Sequence, residues 1–187
     1  MGTVNGLPAH ILLVHAVVVL LPLAALLLVL TAAWPEARRR FAGPNAILSV
    51  LVVILVPLTT SAGEWLEERV PRTELLHDHA ELGDTALFAA IPVALLALVV
   101  WWRHREATAT GSLGGERAGG AGVATATGRR TYLAPLSVTI TRIVTVLAVL
   151  IAGFAVFDTY RIGDSGAKAA WNDKVSSTPA HGGPDGD

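Results

Sequence analysis

Residues 9–33 read AHILLVHAVVVLLPLAALLLVLTAA, a run without one Asp, Glu, Lys or Arg. At a rise of 1.5 Å per residue such a helix covers about 37 Å, more than the roughly 30 Å of a bilayer's hydrocarbon core. Three further stretches share this character. Residues 45–62 follow Gly43-Pro44, a pair that suits a helix start with proline in the first turn. Residues 85–102 close on Trp101-Trp102, where an aromatic belt would lie, and residues 136–157 begin behind Pro135. Each is long, nearly free of charge and apolar without alternation, which predicts transmembrane helices and excludes the strands of a membrane barrel. The expected fold is an all-α integral membrane four-helix bundle, forming a single domain over residues 1–171.

Composition agrees. The chain has 187 residues, of which 52% are hydrophobic and only 16% charged, and its mean hydropathy is +0.55. An ordinary soluble domain is about a quarter charged. The formal net charge of -1 and the lack of a basic stripe argue against nucleic acid as a partner. Without cysteine there is no disulfide framework, thiolate metal site or cysteine nucleophile. No Lys or Arg precedes Arg38, and the first apolar run exceeds a signal-peptide core, so it is expected to stay as a span.

Charge orients the bundle. Arg38, Arg39 and Arg40 follow the first span, and Arg103, Arg105, Arg117, Arg129 and Arg130 follow the third, against Glu36, Glu106 and Glu116. The second connection and the tail are instead rich in acids, from Glu64 and Glu67 to Asp158 and Asp164. Cation-rich short loops stay in the cytoplasm, so both termini are expected outside (N-out, C-out). Residues 106–128, almost all Gly, Ala and Thr, are expected to form a flexible cytoplasmic loop between helices 3 and 4, and residues 175–187 a disordered tail. The phrase YRIGDSGAKAAW, bracketed by Tyr160 and Trp171, is expected to fold back on the outer membrane surface.

Four of the six histidines fall on the outer side in this topology: His10 and His15 in the first two turns of span 1, His77 and His79 just before span 3. His15 lies roughly 7–8 Å deeper than His10, and ionisable groups at that depth usually face the bundle interior. The two are about 140° apart around a helix, so they cannot chelate one ion side by side. Glu64, His79, Glu81, Asp84 and Asp158 stand at the outer ends of the other spans. Imidazoles from different helices suit axial ligation of haem b, and imidazole with carboxylate suits zinc, copper or iron. The haem candidates are His10, His15 and His79; for a transition metal the set widens to His77, Glu64 and Asp84. The plainer alternative makes His10, His77 and His79 interfacial polar residues and His15 a hydrogen-bonding partner of a facing helix. Arg142, the one cation inside a span, either snorkels to the headgroups or pairs with an anionic lipid or substrate group. Thr139, Thr141 and Thr145 are candidates for bonds across the bundle. Pro22, Pro57 and Pro92 interrupt three spans and free backbone carbonyls there.

The opening GLPAHILLVHAVVVLLPLA (residues 6–24), His79 ahead of a span, and the closing YRIGDSGAKAAW resemble a bacterial family of four-helix membrane proteins catalogued as domain of unknown function 2231. The closing phrase is most like the family's actinobacterial members. Members commonly carry an HP dipeptide at the first histidine and HFP after the second, where this chain has His10-Ile11 and His15-Ala16. They often have a histidine where Asp164 stands here. The resemblance implies the fold and leaves the chemistry open.

Three function classes follow. The first is a haem- or metal-binding subunit linked to membrane redox chemistry. The second is a cofactor-free accessory or scaffold subunit of a membrane complex, and the third a small transporter or channel. No Ser/His/Asp arrangement is placed by spacing, so a hydrolytic enzyme is not expected. Partners are the lipid bilayer and other membrane subunits. Because the chain lacks cysteine, its sidedness is directly testable by single-cysteine labelling. Ser176→Cys should react with a membrane-impermeant maleimide on intact cells, and Ser112→Cys only after permeabilisation.

Overall fold

The computed structural model describes residues 3–117, 132–133 and 137–172. A short antiparallel hairpin, β1 (Thr3–Val4) and β2 (Leu7–Pro8), precedes the helices. Its two-residue turn, Asn5-Gly6, has φ of 51° and 82°. A type I′ turn, with positive φ at both positions, matches the twist of the strands, and Asn-Gly suits it. Four helices follow: α1 (Ala9–Ala33), α2 (Pro35–Glu67), α3 (Glu74–Arg117) and α4 (Val138–Trp171). All four are long and apolar enough to cross a membrane.

The first helix has the bounds expected from sequence, and the other three are longer. Trp34 alone, in an extended conformation, separates α1 from α2, and Pro35 takes the first helical position. Arg38, Arg39 and Arg40 therefore lie on the first turns of α2, and Pro44 sits inside that helix rather than at its start. The turn holds because Arg38 reaches back to the last carbonyls of α1, with Nε donating to Thr31 O at 2.8 Å and Nη2 donating to Ala32 O. A cation at a helix C-terminus also complements its dipole. Helix α3 runs on to Arg117, into the stretch expected to be a loop, despite the glycines at 111, 114 and 115; residues 118–131 lie outside the described residues, as does the expected disordered tail. The phrase expected to fold back instead continues α4 to Trp171. Ser137 caps the start of α4, its Oγ accepting from Ile140 N at 3.3 Å.

Helices α1 and α3 each pack against both α2 and α4 and meet across the diagonal. On each helix a row of buried and half-buried positions recurs at alternating steps of three and four. They are 10, 14, 17, 21, 24, 28 and 31 on α1, and 42, 45, 49, 52, 56, 59 and 63 on α2. On α3 they are 79, 82, 86, 89, 93, 96, 100 and 103, and on α4 141, 145, 148, 152, 155, 159, 162 and 166. A repeat of 3.5 residues is the period of a left-handed helical bundle. Alanine dominates the fully buried places, at 24, 25, 89, 148 and 155. Large side chains such as Val19, Ile47, Phe88 and Leu150 point outward. Acyl chains solvate such side chains as well as another helix would, so close approach of backbones over small residues supplies the cohesion.

Ala155 is fully buried and Leu150 is 64% exposed. Ala155→Leu should cost about 1–3 kcal/mol by overpacking, whereas Leu150→Ala should stay within about 0.5 kcal/mol of the parent. Reversible unfolding in mixed micelles reads both.

Candidate functional site

The seam ends in polar layers. At one end stand His10 on α1 and His79 on α3, both half-buried, with ring centroids 6.3 Å apart and planes at 76°. His10 Nδ1 lies 2.9 Å from Thr59 O on α2. His79 Nδ1 lies 2.9 Å from Ser165 Oγ on α4, and that hydroxyl donates to Ile162 O at 2.9 Å. A carbonyl only accepts, so the His10 bond takes its hydrogen from Nδ1, while the Ser165 hydroxyl, with one proton and two lone pairs, bridges His79 Nδ1 and Ile162 O.

Glycine makes room for each ring. A Cβ at Gly63 on α2 would fall 3.0 Å from His10 Cε1 and Nδ1, and one at Gly166 on α4 would fall 2.9 Å from His79 Cε1. Between the rings and the seam beneath lies a cavity of about 50 Å³, lined mostly by apolar side chains including Val14, Val17, Leu21, Val56 and Ala86. It holds a few water molecules at most, since one water occupies about 10–15 Å³ on this measure.

Of the candidate haem and metal ligands, the structure brings His10 and His79 together from different helices. His15 is exposed on the lipid-facing side of α1, its Nδ1 turned to Ile11 O of its own helix. His77 is exposed and pairs with Glu81 along α3 at 3.2 Å. Glu64 and Asp84 are exposed. Among the described residues no group of three or more His, Asp and Glu side chains could hold a metal ion. Asp158, grouped by sequence with the outer acids, is instead buried between α4 and α3, at 2.8 Å from Thr85 Oγ1. Thr59, Ser165, Gly63 and Gly166 carried no signal in the sequence, because each matters only through the ring it meets.

The opposite end is built on arginine. Arg103, read from sequence as a loop cation, is 5% exposed and donates to Leu133 O at 3.0 Å and Thr141 Oγ1 at 2.9 Å. Glu106 accepts from the backbone N–H groups of Tyr132 and Leu133, both at 3.1 Å, so this pair fixes the chain where it returns toward α4. Thr145 Oγ1 shares its proton between Thr141 O of its own helix, at 2.9 Å, and Ala32 O at the end of α1, at 3.1 Å. Arg142 and Thr139 are exposed, so the guanidinium the bundle buries is that of Arg103.

A family model described as "Predicted membrane protein (DUF2231)" matches residues 6–179, and the chain belongs to that family. No curated protein and no solved structure matches it.

Two glycines on α4 separate ring packing from general helix effects. Gly166→Ala should push His79 from its place and cost about 1–3 kcal/mol. Gly153→Ala, where a Cβ would meet nothing within 4 Å, should be neutral or stabilise by about 0.5–1 kcal/mol. Unfolding midpoints of the two variants measure the difference.

Proposed function

We propose that this member of the DUF2231 family is a membrane subunit that holds one transition-metal ion between His10 and His79. We place that end of the bundle outside the cytoplasm, from the distribution of arginine along the chain. The observation that carries the reading is the pair of imidazoles from diagonally opposed helices, 6.3 Å apart, each with Nδ1 2.9 Å from an oxygen on a neighbouring helix. Histidine ligands of metals characteristically donate their other ring N–H to an oxygen acceptor, which fixes ring and tautomer. Two imidazoles bound to one ion at about 2.0–2.1 Å set their centroids roughly 5–6 Å apart, close to the spacing here. Imidazole suits zinc, copper, iron and nickel, and water in the cavity would complete the shell. A cavity of about 50 Å³ favours a bare ion over haem b, whose macrocycle is many times larger.

A second reading, the cofactor-free accessory subunit, is favoured by the same bonds. His10 ties α1 to α2, and His79 ties α3 to α4, which would suffice as a structural role.

Elemental analysis and the visible spectrum of protein purified without a polyhistidine tag separate the two. One ion per chain is expected, lost in His10→Ala and in His79→Ala and retained in His15→Ala. Ser165→Ala should weaken affinity about 10–100-fold by freeing the His79 ring. Protein that stays metal-free after incubation with zinc, copper and iron, in wild type and variants alike, overturns the metal reading and leaves the accessory one.

A further inference from the structure

At the arginine-rich end, α2 and α3 meet through Gly43, where a Cβ would fall 3.5 Å from Trp101 Nε1. One turn nearer that end come Arg39 and Arg40 on α2 and Arg105 on α3, all exposed. The Arg105 guanidinium lies over the Trp101 ring, 5.3 Å from its centroid, so the indole seated against Gly43 also orients the cation. His104, beside it, is within electrostatic range of Arg38 and Arg39, which places the basic turns of the two helices together across the seam. Little compensates this charge. Arg38 and Arg103 direct their donors to uncharged carbonyls and a hydroxyl. Among the described side chains of these turns, Glu36 and Glu106 alone oppose Arg38, Arg39, Arg40, Arg103 and Arg105. Glu36 meets Arg39 at 3.6 Å in a pair open to solvent, which neutralises little. Glu106 accepts from Trp102 Nε1 and from the N–H groups of Tyr132 and Leu133. From this surplus we infer that the α2–α3 seam at the arginine-rich end binds the headgroup phosphate of an anionic phospholipid, held by Arg39, Arg40 and Arg105.

Guanidinium groups match phosphate oxygens with paired N–H donors, and the phosphodiester brings the negative charge that these turns lack. The neighbouring surface favours a lipid over a soluble anion. Ile47 and Leu51 follow Arg40 at intervals of seven and eleven residues, so all three share one face of α2, and both apolar side chains are exposed. Cation and apolar surface are thus continuous over about 16 Å of helix. Acyl chains can lie along Ile47 and Leu51 while the phosphate stays level with the arginines. Trp102, also exposed, stands at the same level on α3, as an interfacial aromatic does. Basic pockets between spans recur as sites for acidic lipid headgroups. The site shares no residue with the pair His10 and His79, so its failure would leave the ion reading standing, and the reverse.

Native mass spectrometry of the detergent-purified protein, titrated with phosphatidylglycerol or phosphatidylcholine, tests it. Phosphatidylglycerol should be retained in preference to phosphatidylcholine. Arg39→Gln and Arg105→Gln, both at exposed positions, should each weaken its retention about fivefold. Arg142→Gln, which removes an exposed cation from α4, the helix diagonally across from α2, should leave retention unchanged. Equal retention of the two lipids, an equal loss in Arg142→Gln, or full retention in both Arg39→Gln and Arg105→Gln overturns the proposal. Displacement of the lipid by inorganic phosphate also overturns it, because the ligand would then be a soluble anion.

Discussion

A helix in a bilayer gains nothing from hiding leucine, because acyl chains receive that side chain as readily as a neighbouring helix does. Cohesion must come from backbones brought close over small side chains and from polar groups that find partners on other helices. The seam meets the first condition with Ala24, Ala25, Ala89, Ala148 and Ala155, all fully buried, while Ile47, Phe88 and Leu150 face outward. Its 3.5-residue period keeps that row turned inward along the whole bundle.

Polar groups meet the second condition at defined heights. The Asn45 side chain lies against α1, its amide within reach of Ala24 O at 3.3 Å and Leu28 N at 3.2 Å in the orientation that satisfies both. Arg38 and Thr145 take up carbonyls at the end of α1, and Arg103 with Glu106 holds the strand of chain returning to α4. At the far end the histidine rings occupy the last layer, and Gly63 and Gly166 concede the space they need. Asp158 departs from this pattern. Its Oδ2 is the one buried carboxyl oxygen among the described residues without a hydrogen-bond partner.

Some of this was legible in the residues. Depth along the first span pointed to His15 as the inward group, yet the structure turns it outward and buries His10, because depth carries no information about rotation. His79 was legible as an outer-end residue, and its meeting with His10 was not, since the two are 69 positions apart and on diagonal helices. Arg103, read as a loop cation, falls on the buried seam with Val100, and Arg142 is exposed on α4. The hairpin at Asn5-Gly6 went unread, since strands of two residues are too short to show a strand pattern.

By itself the sequence determined the membrane class, the number of helices and the first helix's bounds, because solvation by lipid depends on composition and length, which are local. Tertiary structure alone decided how each helix is rotated about its axis and where it stands against its neighbours. A helix apolar on every side has no hydrophobic face to announce which side turns inward. That choice falls to backbone contact over alanine and glycine and to hydrogen bonds between distant residues, and with it go the pairing of His10 with His79 and the burial of Asp158.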